Sequence, residues 1–148
     1  MAATAASGAT VVVRRTFDAP VTKVFCAWSD PAMAKRWSWG PEFDTVAIDL
    51  TCQAGGTWRQ HIRDRATGEN WYFDGVFQEV VPNKKLVHTF HFTSDRGDAE
   101  PASLVTIEFA ERGDRTEVVL THTQLSAAKV KETNKGWEEI FRLIGDLV

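Results

Sequence analysis

The 148-residue sequence is poor in the residues from which specialised chemistry is usually assembled. Its two cysteines, Cys26 and Cys52, are too few for a disulfide framework and stand in no CxxC or Cys/His metal spacing, so both read as buried thiols. No apolar run approaches the length of a membrane span, and the opening MAATAASGAT has neither the basic start nor the apolar stretch of a signal peptide. A cytoplasmic location is expected. The formal net charge of -3 supplies no general attraction to nucleic acid or anionic membranes. There is no GxSxG elbow, no glycine-rich phosphate loop and no cysteine beside an obvious base, which removes the familiar nucleophilic and nucleotide-binding arrangements. No cofactor is expected.

What is abundant is aromatic surface without hydroxyl groups: nine Phe and six Trp against one Tyr. Large apolar rings in that proportion favour a deep core or a cavity over a wet recognition surface. A chain of this length forms one domain that buries about two-thirds of its unfolded surface. Residues 1–9 read as an Ala-rich tail and residues 10–148 as the domain.

TVVVRRTFDAP is rich in β-branched residues and ends at Pro20, which predicts a strand over residues 10 to 18. In VTKVFCAWSDP the residues Val21, Val24, Phe25 and Trp28 fall at helical spacing, and Asp30-Pro31 closes the run. MAKRW adds a further short helix that stops at Gly40-Pro41. Six strands in series follow, most joined by hairpin-sized links at Gly55-Gly56, Thr67-Gly68, Asn83 and Gly113, with Gly75 expected to mark a bulge. Phe43, Val46, Ile48 and Leu50 alternate along the first of these six. NKGWEEIFRLIGDLV closes the chain as an amphipathic helix, with Trp137, Ile140, Phe141 and Ile144 on one face. The order predicts an α+β domain with helices on one face of a curved antiparallel sheet.

RTFDAPVTKVFCAWSDPAMAKRW, GGTW, FDGVFQEVVPNKKLVHTF, TEVVLTHT and the GW ahead of the last helix, in this order, resemble the activator-of-Hsp-ATPase homologue-like family. That family sits within the START, or birch-pollen-allergen-like, helix-grip superfamily. The resemblance runs from about residue 10 to the C-terminus. It implies a seven-stranded antiparallel sheet gripping a long C-terminal helix, with two short helices closing a cavity between them. Members of the superfamily include lipid carriers, cyclases, hormone receptors and chaperone-activating domains, so the fold alone names no activity.

Alternate strand residues share a face, which places Trp58, Gln60 and Ile62 together, and likewise Trp71, Phe73 and Phe77. Leu86, His88, Phe90 and Phe92 make a third row, Val105, Ile107 and Phe109 a fourth, and Val118, Leu120 and His122 a fifth. All five rows would meet Trp137 and Phe141. Taken singly these side chains read as close-packed core; as a set they read as the lining of a ligand cavity. Gln60, His88 and His122 would project into apolar space, where an unpaired polar group costs about 1–3 kcal/mol. Each is satisfied either by a neighbouring side chain or carbonyl, or by a bound ligand.

Trp37 and Trp39, in KRWSWGPEF, would form a lid over the cavity mouth, with Trp37 closing its helix on the core and Trp39 facing either a ligand or a partner. His88 and His91 fall on opposite faces of one strand and cannot share a metal, and no metal site is expected.

The expected function is binding of a small hydrophobic molecule. The alternatives are an acid–base enzyme of the cyclase kind using His88 or His122, assisted by Asp44 or Asp74, and a chaperone-interacting module. The last ranks third because only a short tail precedes residue 10, whereas the eukaryotic activators carry a separate N-terminal domain. An open strand edge would also let two copies pair as a homodimer.

Overall fold

In the computed structural model, which describes residues 8–37, 40–97 and 101–148, the alternation of Val11, Val13 and Phe17 becomes strand β1 (Ala9–Phe17). Helix α1 (Val21–Ser29) buries Val21, Val24, Phe25 and Trp28, the residues at helical spacing. Asp30 then serves two helices. Its backbone N–H closes α1 on the Cys26 carbonyl, and its side chain accepts the Ala32 N–H at 2.9 Å to cap α2 (Pro31–Trp37). Pro31, at the first position of α2, surrenders an N–H that had no intrahelical partner to lose. The Trp37 indole donates to the Ala27 carbonyl at 2.7 Å and pins α2 to α1.

The six following strands are β2 (Phe43–Leu50), β3 (Thr57–Asp64), β4 (Asn70–Val81), β5 (Lys85–Ser94), β6 (Ser103–Arg112) and β7 (Arg115–Leu125). They form one antiparallel sheet in the order β1-β7-β6-β5-β4-β3-β2. The meander is sequential, and β1 crosses over to pair with β7, leaving β1 and β2 as the two edges. Helix α3 (Val130–Leu147) follows a 3₁₀ turn (Ala127–Lys129) and lays Trp137, Ile140, Phe141 and Ile144 against the inner face. At its far end Arg15 of β1 donates to the Phe141 carbonyl at 3.3 Å and lies over the Phe17 ring. A Cβ at Gly145 would come within 2.5 Å of that guanidinium, which as the end of a flexible side chain could shift aside.

Four details differ from the sequence reading. The last helix begins at Val130 instead of near residue 134, which gives it the length to cross the sheet. Gly75 is paired in register with Trp58; the β4–β5 irregularity lies between Phe77 and Glu79. Gly75 is instead a point of close approach, where a Cβ would fall 2.0 Å from the Thr89 carbonyl oxygen and 2.4 Å from the Trp58 indole nitrogen. Val46 does not share the inner face with Ile48 and Leu50. The β2–β3 register shifts between Thr45 and Ala47, and Val46 is left 43% exposed. Cys26 and Cys52 are half-buried free thiols, not fully buried ones.

Candidate functional site

The inner rows converge as the alternation predicts. Ile62, Phe73, Phe77, Leu86, Val105 and Leu120 are all buried, and Phe77, Leu86, Val105 and Leu120 share one core cluster with Trp137, Ile140, Phe141 and Ile144 of α3. Packing does not fill the space between the sheet and the first turns of that helix. A cavity of about 370 Å³ lies there, walled by Trp71 and Phe73 of β4, Phe90 and Phe92 of β5, and Trp137 of α3. Ser103 and His122 line its interior, and Glu69, Arg96, Lys129 and Glu132 stand among its charged residues. The rings contact one another: Phe73 lies 5.5 Å from Phe90 and 5.1 Å from Phe92, and Trp71 lies 5.7 Å from Phe92, centroid to centroid.

A second, smaller chamber of about 60 Å³ lies further along α3. Trp37, Trp58, Gln60 and His88 line it. Phe90 and Trp137, 6.0 Å apart, border both spaces.

The polar interior groups are held in a directed chain. Trp137 Nε1 donates to His122 Nδ1 at 3.0 Å. An indole nitrogen can only donate, so Nδ1 is bare and the imidazole proton sits on Nε2. That proton faces Ser103 Oγ at 2.6 Å, and Ser103 donates in turn to the Phe90 carbonyl at 3.2 Å. Burial, reinforced by the nearby His88, lowers the His122 pKa from 6.5 to about 4. His88 is fixed the opposite way. Its Nδ1 lies 2.9 Å from the Thr89 carbonyl, which can only accept, so the proton is on Nδ1 and Nε2 keeps a lone pair. Burial lowers its pKa to about 4, against a weaker opposing effect of the Thr89 bond. The same carbonyl accepts the Trp58 indole N–H at 3.1 Å. Both histidines are therefore neutral at ordinary pH, and neither is poised near 7 as an acid–base catalyst.

At the charged rim, Glu69 accepts the Trp71 indole N–H at 2.6 Å and pairs with Arg96 at 3.1 Å. The Glu69 side chain is only 15% exposed, so this contact ties the β3–β4 turn to the loop after β5 beside the cavity. Gln124 also lines the cavity and has φ 65°, a left-handed conformation unusual for glutamine, next to the β1–β7 irregularity between Ala9 and Val11.

Of the residues singled out from sequence, the larger cavity brings together Trp71, Phe73, Phe90, His122 and Trp137. The smaller chamber gathers Trp37, Trp58, Gln60 and His88. Trp37 closes its helix on the core but lines only this smaller space, away from the mouth it was expected to cover. Phe141 lines neither. It is 2% exposed and packs on Phe17 and Trp28 as core. Trp39 lies outside the described residues.

His91 and His61 face away from the cavity, His91 beside Asp74 at 3.6 Å and His61 stacked on Tyr72 at 4.5 Å. Asp44 pairs with Arg65 at the surface. Among the described residues no cluster of three or more His, Cys, Asp or Glu side chains could hold a metal ion, and no helix is long and apolar enough to cross a membrane.

Ser103 escaped the sequence reading, although the row Val105, Ile107, Phe109 extended backwards by one step of two reaches it. Arg96 and Glu69 carried no such signal, because loop residues obey no period.

The sequence matches the model of the family described as activator of Hsp90 ATPase homolog 1-like protein over residues 18–148. No curated protein matches it. Among solved structures, a putative uncharacterized protein from Rhizobium leguminosarum is 26% identical, with TM-score 0.77 over 93% of this chain and 94% of that one. A Chromobacterium violaceum protein, 21% identical, superposes with TM-score 0.84 over 94% and 96%. An AHSA1-like protein from Aeromonas hydrophila, 20% identical, gives TM-score 0.75 over 93% and 90%.

Proposed function

The chain belongs to the activator of Hsp90 ATPase homologue 1-like family, and on that premise we propose that it binds a small hydrophobic, aromatic or lipid-like molecule between the sheet and α3. The observation that carries this reading is the 370 Å³ cavity, walled by Trp71, Phe73, Phe90, Phe92 and Trp137 around the Ser103–His122 pair. A space of that size, apolar on its walls with a few fixed polar groups inside, has the makeup of a small-molecule site. Its polar groups are already paired with one another, so the site can stand without an occupant. The neutral, committed histidines favour holding a ligand over turning it over.

The test is a titration of the full chain with an environment-sensitive hydrophobic dye, read by dye emission and by tryptophan quenching. Saturable one-to-one binding, displaced by aromatic competitors and lost in Thr133→Trp, which puts a large ring on the α3 wall, is expected. A non-saturating response, or one unchanged in that variant, would overturn the reading.

The family match favours a second reading, contact with an Hsp90-type chaperone through the outer surface. Stimulation of such a chaperone's ATPase by both the unaltered chain and Thr133→Trp would support it independently of the cavity.

A further inference from the structure

The two chambers share a polarity that follows from which groups can only donate and which can only accept. The Trp137 indole fixes the His122 proton on Nε2, that proton goes to Ser103 Oγ, and the proton of Ser103 goes to the Phe90 carbonyl. What Ser103 has left for an occupant of the larger cavity is a lone pair. In the smaller chamber the Thr89 carbonyl fixes the His88 proton on Nδ1, and what His88 has left is again a lone pair, on Nε2. Gln60 carries both a donor and an acceptor and imposes no sign. Trp28 Nε1 is a buried donor without an acceptor among the described residues, but it has essentially no accessible surface and so presents nothing to a ligand.

Resting on the cavity-binding reading, we infer that the site selects a neutral aromatic ligand that brings its own hydrogen-bond donor, a phenol or an alcohol, and discriminates against the ether or carboxylate of the same shape. A hydroxyl gives its proton to Ser103 or His88. An ether oxygen there faces lone pair against lone pair. A carboxylate adds the desolvation of a charge beside neutral imidazoles. The rim does not reverse this preference, since Arg96 and Lys129 are matched there by Glu69 and Glu132, with Arg96–Glu69 and Lys129–Glu132 paired at 3.1 and 3.4 Å. Because these polar groups are already paired with one another, the preference rests on the one bond that the hydroxyl adds and the ether cannot make.

The experiment compares naphthol, methoxynaphthalene and naphthoate by isothermal titration calorimetry on the full chain at neutral pH. Naphthol should bind at least about tenfold more tightly than methoxynaphthalene, and naphthoate more weakly than either. Ser103→Ala should narrow the naphthol advantage to about threefold or less, with methoxynaphthalene affinity little changed. Ser103→Val makes the same test with a side chain of similar size and serves if Ser103→Ala does not fold. Equal affinities for naphthol and methoxynaphthalene, or tightest binding of naphthoate, would overturn the inference while leaving the cavity reading intact. A naphthol advantage that survives both variants would overturn it as well. Failure of all three compounds and of the dye would defeat the cavity reading itself.

Discussion

The indole N–H of Trp137 donates to Nδ1 of His122 across 3.0 Å, joining the last helix to the last strand through a bond that can run in only one direction. The imidazole is thereby held in one tautomer, and protonating it would turn an N–H toward an N–H. Nitrogen-15 NMR should show His122 protonated on Nε2 alone throughout the neutral range, with a titration midpoint lowered to about 4. An Nδ1-protonated ring, or titration near 6.5, would contradict the assignment.

Stability should depend on pH through the two buried histidines. His122 and His88 both have folded pKa values lowered from 6.5 to about 4, so the unfolded chain takes up protons first. The stability they contribute is whole above about pH 6.5 and is lost as the pH falls through 6.5 toward 4, by at most about 3 kcal/mol per histidine. Urea midpoints measured between pH 7 and pH 5 sample this window above most of the carboxylate range. A shallower slope is expected in His88→Phe. A flat profile in the unaltered protein over that interval would be the opposing result.

Gly75→Ala should be among the most damaging single-methyl additions. The new Cβ would meet the Thr89 carbonyl oxygen at 2.0 Å and the Trp58 indole nitrogen at 2.4 Å, so strand β5 or the Trp58 ring must move. A loss of about 2–4 kcal/mol is expected from such overpacking. Gly68→Ala is the control, because nothing lies within 4 Å of its added Cβ and only the φ of 76° opposes it, at about 1 kcal/mol. Thermal denaturation of the two variants compares them directly, and equal losses would mean that the close approach at Gly75 is unimportant.

Asp30→Asn should keep α2 in place, whereas Asp30→Ala should loosen it. The Asp30 carboxylate caps the Ala32 N–H at 2.9 Å, a role asparagine can share and alanine cannot. The alanine variant is expected to lose about 1 kcal/mol in chemical denaturation and to speed amide exchange in Pro31–Trp37. Unchanged exchange there would show that the Trp37–Ala27 bond alone holds the helix.

Much of this was legible without a structure because period and punctuation are local properties. The alternation through Leu86, His88 and Phe90 fixed which side chains turn inward, and Asn83 and Gly113 marked turns that do adopt positive φ. The rows misled where the backbone departs from period two. One extra residue at Val46 switches the inner face of β2, and no residue type announces it. Gly75 shows the converse: a glycine read as a bulge is required by a tryptophan seventeen positions earlier and a carbonyl on the next strand.

By itself the sequence determined the α+β class, the order of elements, the inward rows and the surplus of apolar ring over hydroxyl that a cavity wall requires. Tertiary structure alone decided that Phe141 fills core while Phe90 and Trp137 border open space, since a helical or strand face says which residues point inward and not whether another group already occupies the volume. It alone decided the proton positions too. His122 and His88 are identical letters on the inner rows of β7 and β5, with Val105 of β6 between them, and they hold opposite tautomers because one meets an indole that only donates and the other a carbonyl that only accepts.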